Sequence, residues 1–302
     1  MEPNHIPLII QFIDNNVFED RKRKYSNALI VKILLILQIY GISYRSAESF
    51  FRNHPDIKNV LGVEEIPNFR TLSRRARMID WHKINNEILQ LINTYKENSA
   101  IDSFIFRTCK SSTASRRKNY GNYKDPLSSW GFSTKGWQYG RKISVSFDID
   151  SSAIVEWNVT RASLHDKNIS FPLINTLKDY SYLLMDAAYD SSDIYEYVFE
   201  NTNCIPIIDT NRRRGIIESR LSDARRRGIE IRKEEASRYS LRWEIERTFA
   251  ILEDILGCEY IWFVRNRNYD VSVGMKIVAY NIIILLNQIL DRPKRKIMDL
   301  VV

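Results

Sequence analysis

Three acidic residues stand where a divalent metal site could form: Asp102, Asp186 and Glu246. Asp102 lies in AIDSF, a β-branched and aromatic run, where a buried carboxylate requires a partner or a metal. Asp186 follows the apolar run YLLM, and the ends of strands in α/β sheets are where sites are built. Taken singly, Asp186 could cap a turn and Asp102 could close a loop. The three residues together favour a site for Mg²⁺ or Mn²⁺ over zinc, and two such ions support in-line phosphoryl displacement.

Glu246 belongs to residues 238–253, RYSLRWEIERTFAILE, whose spacing predicts one helix with two faces. Tyr239, Arg242 and Glu246 recur at steps of three and four on one face. The adjacent face is an apolar stripe of Leu241, Ile245, Phe249, Leu252 and Leu256. Considered alone, Arg242 and Glu246 are most simply a surface ion pair. Beside two aspartates on predicted strands, they indicate a metal ligand next to a phosphate clamp.

Basic charge is concentrated in two segments rather than spread along the chain. Residues 107–142 contain nine Lys/Arg and one Asp, and residues 211–238 contain ten Lys/Arg and five Asp/Glu. The first segment interleaves cations with aromatic rings, as a surface that follows a phosphate backbone and stacks on bases requires. Its members are Arg116, Arg117, Lys118, Tyr120, Tyr123, Trp130, Trp137 and Tyr139. The alternative is a disordered basic loop whose aromatics belong to the core. Arg212 and Arg213 are the candidate DNA contacts of the second segment.

The composition is that of a soluble globular protein able to form one large or two smaller domains. The 302 residues are 44% hydrophobic and carry a formal net charge of +8, which permits an acidic polymer as partner. Three widely separated cysteines predict neither a zinc module nor a disulfide framework, and they fit a reducing cytosol. We expect no signal peptide, and we interpret the apolar runs 28–42 and 271–290 as core helices rather than membrane spans.

The chemistry-bearing residues sit in a chain whose pattern changes near residue 98. Before it, short helices predominate, and the one containing IPNFRTLSRR is basic. A small DNA-binding or dimerising bundle and a plain bundle with a solvated basic face explain this region about equally well. After it, the order of predicted elements is β, β, β, α, β, α, β, α, a mixed α/β layer arrangement. The last apolar run, 270–290, is expected to pack across the sheet.

Several segments resemble DDE-type insertion-sequence transposases. AIDSF and LLMDAAYDS resemble the segments that carry the family's first and second Asp, and RYSLRWEIERTF matches its Tyr–x2–Arg–x3–Glu signature. TRASLHD resembles the family's segment of small residues followed by His and Asp. SYRSAESFF and IPNFRTLSRR resemble its helical leader. The similarity runs from about residue 26 to residue 290.

The resemblance implies a fold, a metal site and DNA contacts. Residues 99–302 would form a ribonuclease H-like, retroviral-integrase-like catalytic domain with a mixed sheet flanked by helices. Residues 1–98 would form an all-helical DNA-binding or dimerisation region. Asp102, Asp186 and Glu246 would hold two Mg²⁺ ions, with Mn²⁺ able to substitute, and Tyr239 and Arg242 would contact DNA near the cleaved phosphate.

The chain departs from the family at one position of the signature. The family often has a Lys seven residues after the Glu, where this chain has Glu253. A carboxylate cannot contact phosphate as Lys does, and Arg247, which points about 100° away around the helix, is a candidate substitute. His165 could orient a group at the site or cap the helix that Asp166 begins. Asp148 and Asp150 are rival ligands, for which a turn position favours solvent exposure.

The resemblance also implies an activity, partners and a location. The expected enzyme is a metal-dependent nuclease and strand transferase acting on double-stranded DNA, namely the terminal inverted repeats of the element and its target. It would act as a homodimer in the prokaryotic cytoplasm, associated with the nucleoid and with no membrane. The alternatives are a catalytically inactive, transposase-derived DNA-binding protein and a structure-selective nuclease of the same fold.

Overall fold

The computed structural model describes residues 5–17, 24–110, 114, 125–211, 221–261 and 267–296. The chain forms two units. The helical unit combines Met1–Ile92 with Asp254–Cys258 and Arg267–Val302, and the sheet unit combines Asn93–Glu253 with Glu259–Asn266. The expected boundary near residue 98 therefore lies close to the first crossing between the units, but the helical unit also takes in the C-terminal helix.

The helical unit begins with short amphipathic helices around one apolar helix. They are α1 (His5–Asn16), α2 (Asn27–Ile39), α3 (Ala47–Asn53), α4 (Pro55–Val60), α5 (Phe69–Ala76) and α6 (Trp81–Leu89), with a 3₁₀ turn at Tyr44–Ser46. Helix α2 starts where expected, because the Ser26 hydroxyl accepts a hydrogen bond from the Leu29 amide at 3.0 Å. Its side chains are buried on all sides, from Ile30 to Ile39, as in the central helix of a bundle.

The C-terminal helix α12 (Arg267–Ile289) joins this bundle and contacts α2 and α6. The prediction that it packs across the sheet is wrong. A helix that is apolar on all sides must be buried, but its sequence pattern does not indicate which elements cover it. The contact with α6 includes a buried hydrogen bond from Asn281 Nδ2 to Asn85 Oδ1 at 2.7 Å. Tyr269–Ile289 is apolar and long enough to cross a membrane, but 89% of its apolar stretch is buried inside the protein, as in a core helix.

The sheet unit is built on a six-stranded mixed sheet. Its strands are β1 (Asn98–Arg107), β2 (Ser129–Ser133), β3 (Gly136–Asp148), β4 (Ala153–Arg161), β5 (Tyr182–Met185) and β6 (Ile205–Ile208). Strand β3 pairs antiparallel with β1 on one side, and with β2 and then β4 on the other. Strands β5 and β6 continue the sheet parallel to β1. The main order β4-β3-β1-β5-β6 confirms the expected ribonuclease H-like mixed sheet, to which β2 is an addition that the pattern did not predict.

Helices flank this sheet. They are α7 (Asp166–Thr176), α8 (Ser192–Asn201), α9 (Asp223–Glu234), α10 (Ala236–Tyr239) and α11 (Trp243–Ala250). One buried core joins β1, β5 and β6 to α7 and α8 through side chains such as Ile101, Leu173, Leu183 and Val198. This packing fixes the middle of β1, which carries Asp102, beside the end of β5, which Asp186 follows.

The segment predicted as one helix over residues 238–253 is divided. Helix α10 is followed by a 3₁₀ turn at Ser240–Arg242, then α11, then a π-helical turn at Ile251–Ile255. The predicted apolar stripe is nevertheless buried at Ile245, Phe249 and Leu252. Phe249 packs on Phe104 of β1, with ring centroids 4.7 Å apart, which places α11 against the sheet.

Candidate active site

Two neighbouring parallel strands bring Asp102 and Asp186 to the same place. Ile101 of β1 is in register with Met185 of β5, so the residues that follow both emerge at adjacent positions. Strand β5 ends at Met185, and the Asp186 side chain caps the next turn by accepting a hydrogen bond from the Ala188 amide at 2.8 Å. Asp186 therefore caps a turn and also lies beside Asp102.

Arg242 joins the third carboxylate to the first. Its Nη1 donates to Asp102 Oδ2 at 2.7 Å, and its Nη2 donates to Glu246 Oε1 at 2.5 Å. The Arg242 and Asp102 side chains are only 18% and 14% exposed. The Arg242–Glu246 pair is therefore part of a recessed cluster that includes a sheet aspartate, and not an isolated surface ion pair.

The cluster carries more negative charge than its arginine neutralises. Burial, followed by the charge of Asp186, raises the pKa of Asp102 to about 7, although Arg242 and the Ser103 amide pull it down. Burial also raises the pKa of Asp186, against the hydrogen bond from the Ala188 amide and the charge of Arg242. Although burial opposes it, the charge of Asp102 raises the pKa of Arg242. A second cation would relieve the repulsion among these carboxylates.

The donor chemistry of the cluster fits Mg²⁺ or Mn²⁺. Asp102, Asp186 and Glu246 offer oxygen only, which these hard ions prefer. Within the described residues, no group of three or more His, Cys, Asp or Glu side chains already stands at ligand spacing. The Arg242 guanidinium is hydrogen-bonded to two of the three carboxylates, so ion binding would require Arg242 to move away from them.

The other residues expected to contact DNA differ in the side chains that they contact. Arg232 stacks on the Tyr239 ring at 3.8 Å, and Arg242 stands 5.9 Å from the same ring. Arg247 is mostly exposed and pairs with Glu244 at 3.1 Å. The remaining predicted contacts and their neighbouring aromatics lie outside the described residues; these are Arg116, Arg117, Lys118, Tyr120, Tyr123, Arg212 and Arg213.

Glu253 has a cation partner that its position in the sequence does not reveal. Lys135, in the turn between β2 and β3, donates to Glu253 Oε2 at 2.9 Å. Glu253 is 13% exposed on its side chain, whereas Lys135 is 47% exposed. A lysine ammonium thus reaches the position where the family signature places its own lysine, but from a different part of the chain.

Asp166, which the sequence predicts only as the first residue of a helix, forms a second acidic centre. Its Oδ1 accepts hydrogen bonds from Ser103 Oγ at 2.6 Å and from Lys142 Nζ at 2.8 Å. Ser103 directly follows Asp102 on β1, so this network holds the strand next to the first carboxylate. The available signal was the sequence His165–Asp166. His165 itself caps α7, since its Nδ1 accepts the Lys167 amide at 3.3 Å, which confirms the capping interpretation.

Asp148 and Asp150, the rival ligand candidates, form structural hydrogen bonds. Asp148 is fully buried, so the expected solvent exposure is wrong for it. It accepts hydrogen bonds from the Ser151 amide at 2.8 Å and from the Tyr180 hydroxyl at 2.9 Å. Asp150 accepts hydrogen bonds from the backbone amide and the side-chain amide of Asn98, at 2.8 and 3.0 Å. Both aspartates fix the turn between β3 and β4 rather than joining the carboxylate cluster.

Comparison with known proteins identifies the family of this chain. Residues 96–282, more than half of the chain, match the family model described as Transposase DDE domain. None of the curated proteins is a significant match. Among solved structures, the chain is similar to piggyBac transposase in a synaptic complex with hairpin DNA, at 10% identity and a TM-score of 0.49. That alignment covers 98% of this chain and 74% of the other. The family match shows that this chain belongs to the transposases with a DDE domain.

Proposed function

We propose that the chain is the transposase of an insertion sequence, cutting the element ends and joining the 3′ strands to target DNA in a metal-dependent reaction. The observation that carries the proposal is the carboxylate cluster, in which Asp102 and Glu246 share the Arg242 guanidinium while Asp186 emerges from the neighbouring strand. Raised pKa values at Asp102 and Asp186 indicate a site built for a further cation.

Asp102, Asp186 and Glu246 would hold two Mg²⁺ ions. When bound, such ions supply activation of a water or a 3′ hydroxyl and stabilisation of the leaving oxygen. The chain's own residues position the groups. Ser103 anchors β1 to Asp166 at 2.6 Å, and the Asp186 turn is fixed through Ala188. Arg242 would leave its carboxylates and pair with a DNA phosphate, since guanidinium binds both anions in the same bidentate way.

Double-stranded DNA is the proposed partner, as the terminal inverted repeats of the element and as the target. Tyr239, Arg242 and Arg247 would contact it near the cleaved phosphate, and Arg116, Arg117, Lys118, Arg212 and Arg213 would follow its backbone. The helical unit would bind DNA or dimerise, because α5 exposes Arg70, Arg74 and Arg77 at helical spacing on one side. The active complex would be a homodimer in the prokaryotic cytoplasm, associated with the nucleoid.

The test is strand cleavage and joining on DNA that carries the element's terminal repeats, with Mg²⁺ or Mn²⁺ present. We expect Asp102→Asn, Asp186→Asn and Glu246→Gln each to lower the rate by about a hundredfold to a thousandfold, as the loss of a group that stabilises transition-state charge does. DNA affinity should be retained. Glu196→Gln is the matched control, because Glu196 is an exposed carboxylate on α8 in the same unit. Unchanged cleavage in the three cluster variants would sink the assignment.

The same assay separates the alternatives. DNA binding without cleavage in either metal would identify an inactive, transposase-derived DNA-binding protein. Cleavage without any joined product would identify a structure-selective nuclease of the same fold. Trapping a product in which the element's 3′ end is covalently joined to target DNA would exclude both.

A further inference from the structure

The hairpin of β2 and β3 carries four aromatic side chains on one face, Trp130, Phe132, Trp137 and Tyr139, which we call the aromatic ladder. Trp130 is paired across the strands with Tyr139, and Phe132 with Trp137. The ring centroids within these pairs are 5.6 and 5.5 Å apart, at 69° and 68°. Phe132 and Trp137 are each 67% exposed. Edge-to-face pairs hold these rings in place while leaving ring surface open to solvent.

The exposure follows from how the hairpin packs. The alternate residues Gly131 and Gln138 face the other way and are buried. A side chain at Gly131 would collide with Ala162, because a Cβ there would lie 2.6 Å from its carbonyl oxygen. The hairpin therefore has one packed face, and the aromatic ladder occupies its open face. Large aromatic side chains kept exposed in a group mark an interaction surface.

The aromatic ladder lies on the same face of the sheet as the first catalytic carboxylate. Strand side chains alternate in direction, so Trp137 and Tyr139 share their face of β3 with Val145. Val145 is paired directly with Asp102. The pairing has no register shift over this part of β3. The open face of the hairpin therefore extends the surface from which Asp102 projects.

The hairpin is also tied to the helix that carries Glu246. Its turn residue Lys135 pairs with Glu253 at 2.9 Å. Glu253 stands seven residues after Glu246, beyond the end of α11 and in the π-helical turn at Ile251–Ile255. Along β3, Trp137 and Tyr139 lie eight and six residues before Val145, which is paired with Asp102, so the aromatic ladder is about 20–26 Å from the first carboxylate. That distance equals about six to eight base steps of a DNA strand.

We propose that the aromatic ladder stacks on unpaired nucleobases of the DNA strand whose phosphate is held at the carboxylate cluster. This inference rests on the proposed function. The aromatic ladder continues the face of the sheet from which Asp102 projects, where the proposed function places a DNA strand, and this favours a nucleic acid over an apolar protein partner. Base stacking on aromatic rings tolerates any sequence.

The test is equilibrium binding of the full chain, without divalent metal, to oligothymidine and to a blunt duplex of the same length. Phe132→Ala and Trp137→Ala should each weaken oligothymidine binding about tenfold, the effect of losing one stacked base. Binding of the blunt duplex should change little. Trp137→Tyr, which keeps a ring, should restore most of the affinity. Tyr95→Ala is the matched control, since Tyr95 is 85% exposed in the same unit but lies outside the aromatic ladder.

Equal affinity of the ladder variants and the control for oligothymidine would overturn the inference. So would a failure of Trp137→Tyr to recover affinity when its unfolding midpoint matches that of the unsubstituted chain. A change from dimer to monomer in Phe132→Ala, with oligothymidine binding intact, would assign the aromatic ladder to a second copy of the chain instead. This assay measures binding without metal and without cleavage. Its result can therefore be interpreted even if the chain proves not to cut or join DNA.

Discussion

Two arginine–aspartate contacts in the sheet unit have similar geometry and opposite electrostatic outcomes. Arg141 donates twice to Asp125, at 2.6 and 2.9 Å, with both side chains essentially fully buried. Arg242 donates to Asp102 at 2.7 Å and to Glu246 at 2.5 Å. In the first, one guanidinium serves one carboxylate. In the second, one guanidinium serves two carboxylates beside a third.

The difference appears in the pKa values of the two aspartates. Although burial opposes it, hydrogen bonds from Arg141 and Ser128 hold the pKa of Asp125 below its ordinary value. Burial and the charge of Asp186 raise the pKa of Asp102 to about 7. The Arg141–Asp125 contact is therefore complete as a structural element, whereas the cluster around Arg242 lacks positive charge. Functional sites often retain such local instability, which the rest of the fold supports.

The largest expected effect on stability comes from breaking the Arg141–Asp125 ion pair. Asp125→Ala should lower the free energy of unfolding by about 3–5 kcal/mol, because it leaves the Arg141 guanidinium buried without its counter-ion. Chemical denaturation with a shared slope for all variants measures this. The control is Asp223→Ala, which removes an exposed partner of Arg226 at 3.4 Å and should cost about 0–1 kcal/mol. A loss of less than about 1 kcal/mol for Asp125→Ala would mean that the pair is not a structural element.

The second prediction concerns the pH dependence of the incomplete cluster, measured without divalent metal. Folding raises the pKa of Asp102 from 3.8 to about 7, so the folded state binds the proton more tightly than the unfolded state. Its contribution to stability is present below about pH 4 and is lost as the pH rises to about 7. Asp102→Asn cannot titrate, so its stability relative to the unsubstituted chain should increase over this window. The upper limit is about 4 kcal/mol, at about 1.4 kcal/mol for each pKa unit.

Asp148→Asn provides the comparison for that experiment. Burial also raises the pKa of Asp148, but its oxygens accept hydrogen bonds from Ser151 and Tyr180. Asp148→Asn relieves the same kind of burial cost but replaces one accepting oxygen by an amide nitrogen, so it should stabilise the fold at neutral pH less than Asp102→Asn does. A stability difference between Asp102→Asn and the unsubstituted chain that stays constant from about pH 4 to about pH 8 would contradict the electrostatic account of the cluster.

The sequence was sufficient for parts of the molecule whose pattern is local. Alternation and apolar runs predicted β1, β3, β4, β5 and β6, with Asp102 within β1 and Asp186 directly after β5. Contacts between distant residues could not be predicted in the same way. Arg242 and Asp102 are 140 residues apart, and Lys135 and Glu253 are 118 apart. No periodicity reports which side chains such separations bring together.

Two other features of the structure differ from the sequence prediction, and both involve contacts between residues far apart in the chain. Helix α12 is apolar on all sides, and this pattern requires burial without choosing between the sheet and the helical bundle. The 3₁₀ turn at Ser240–Arg242 interrupts a segment with good helical spacing, and at this turn Arg242 reaches Asp102 on the sheet. Local spacing reports neither the packing partners of α12 nor the break in this segment.

The smallest expected effect concerns competition between Arg242 and a divalent ion for the same carboxylates. Arg242→Gln should bind Mn²⁺ about tenfold more tightly than the unsubstituted chain, because Asp102 and Glu246 no longer hold a cation. Calorimetric titration with Mn²⁺ in the absence of DNA measures this change. Arg247→Gln is the control, because that side chain pairs with Glu244 and should leave Mn²⁺ affinity unchanged. Equal Mn²⁺ affinity in Arg242→Gln and the unsubstituted chain would show that the guanidinium does not compete for the ion's ligands. A stronger affinity would explain how one arginine can protect the carboxylates before metal arrives and become free for phosphate afterwards.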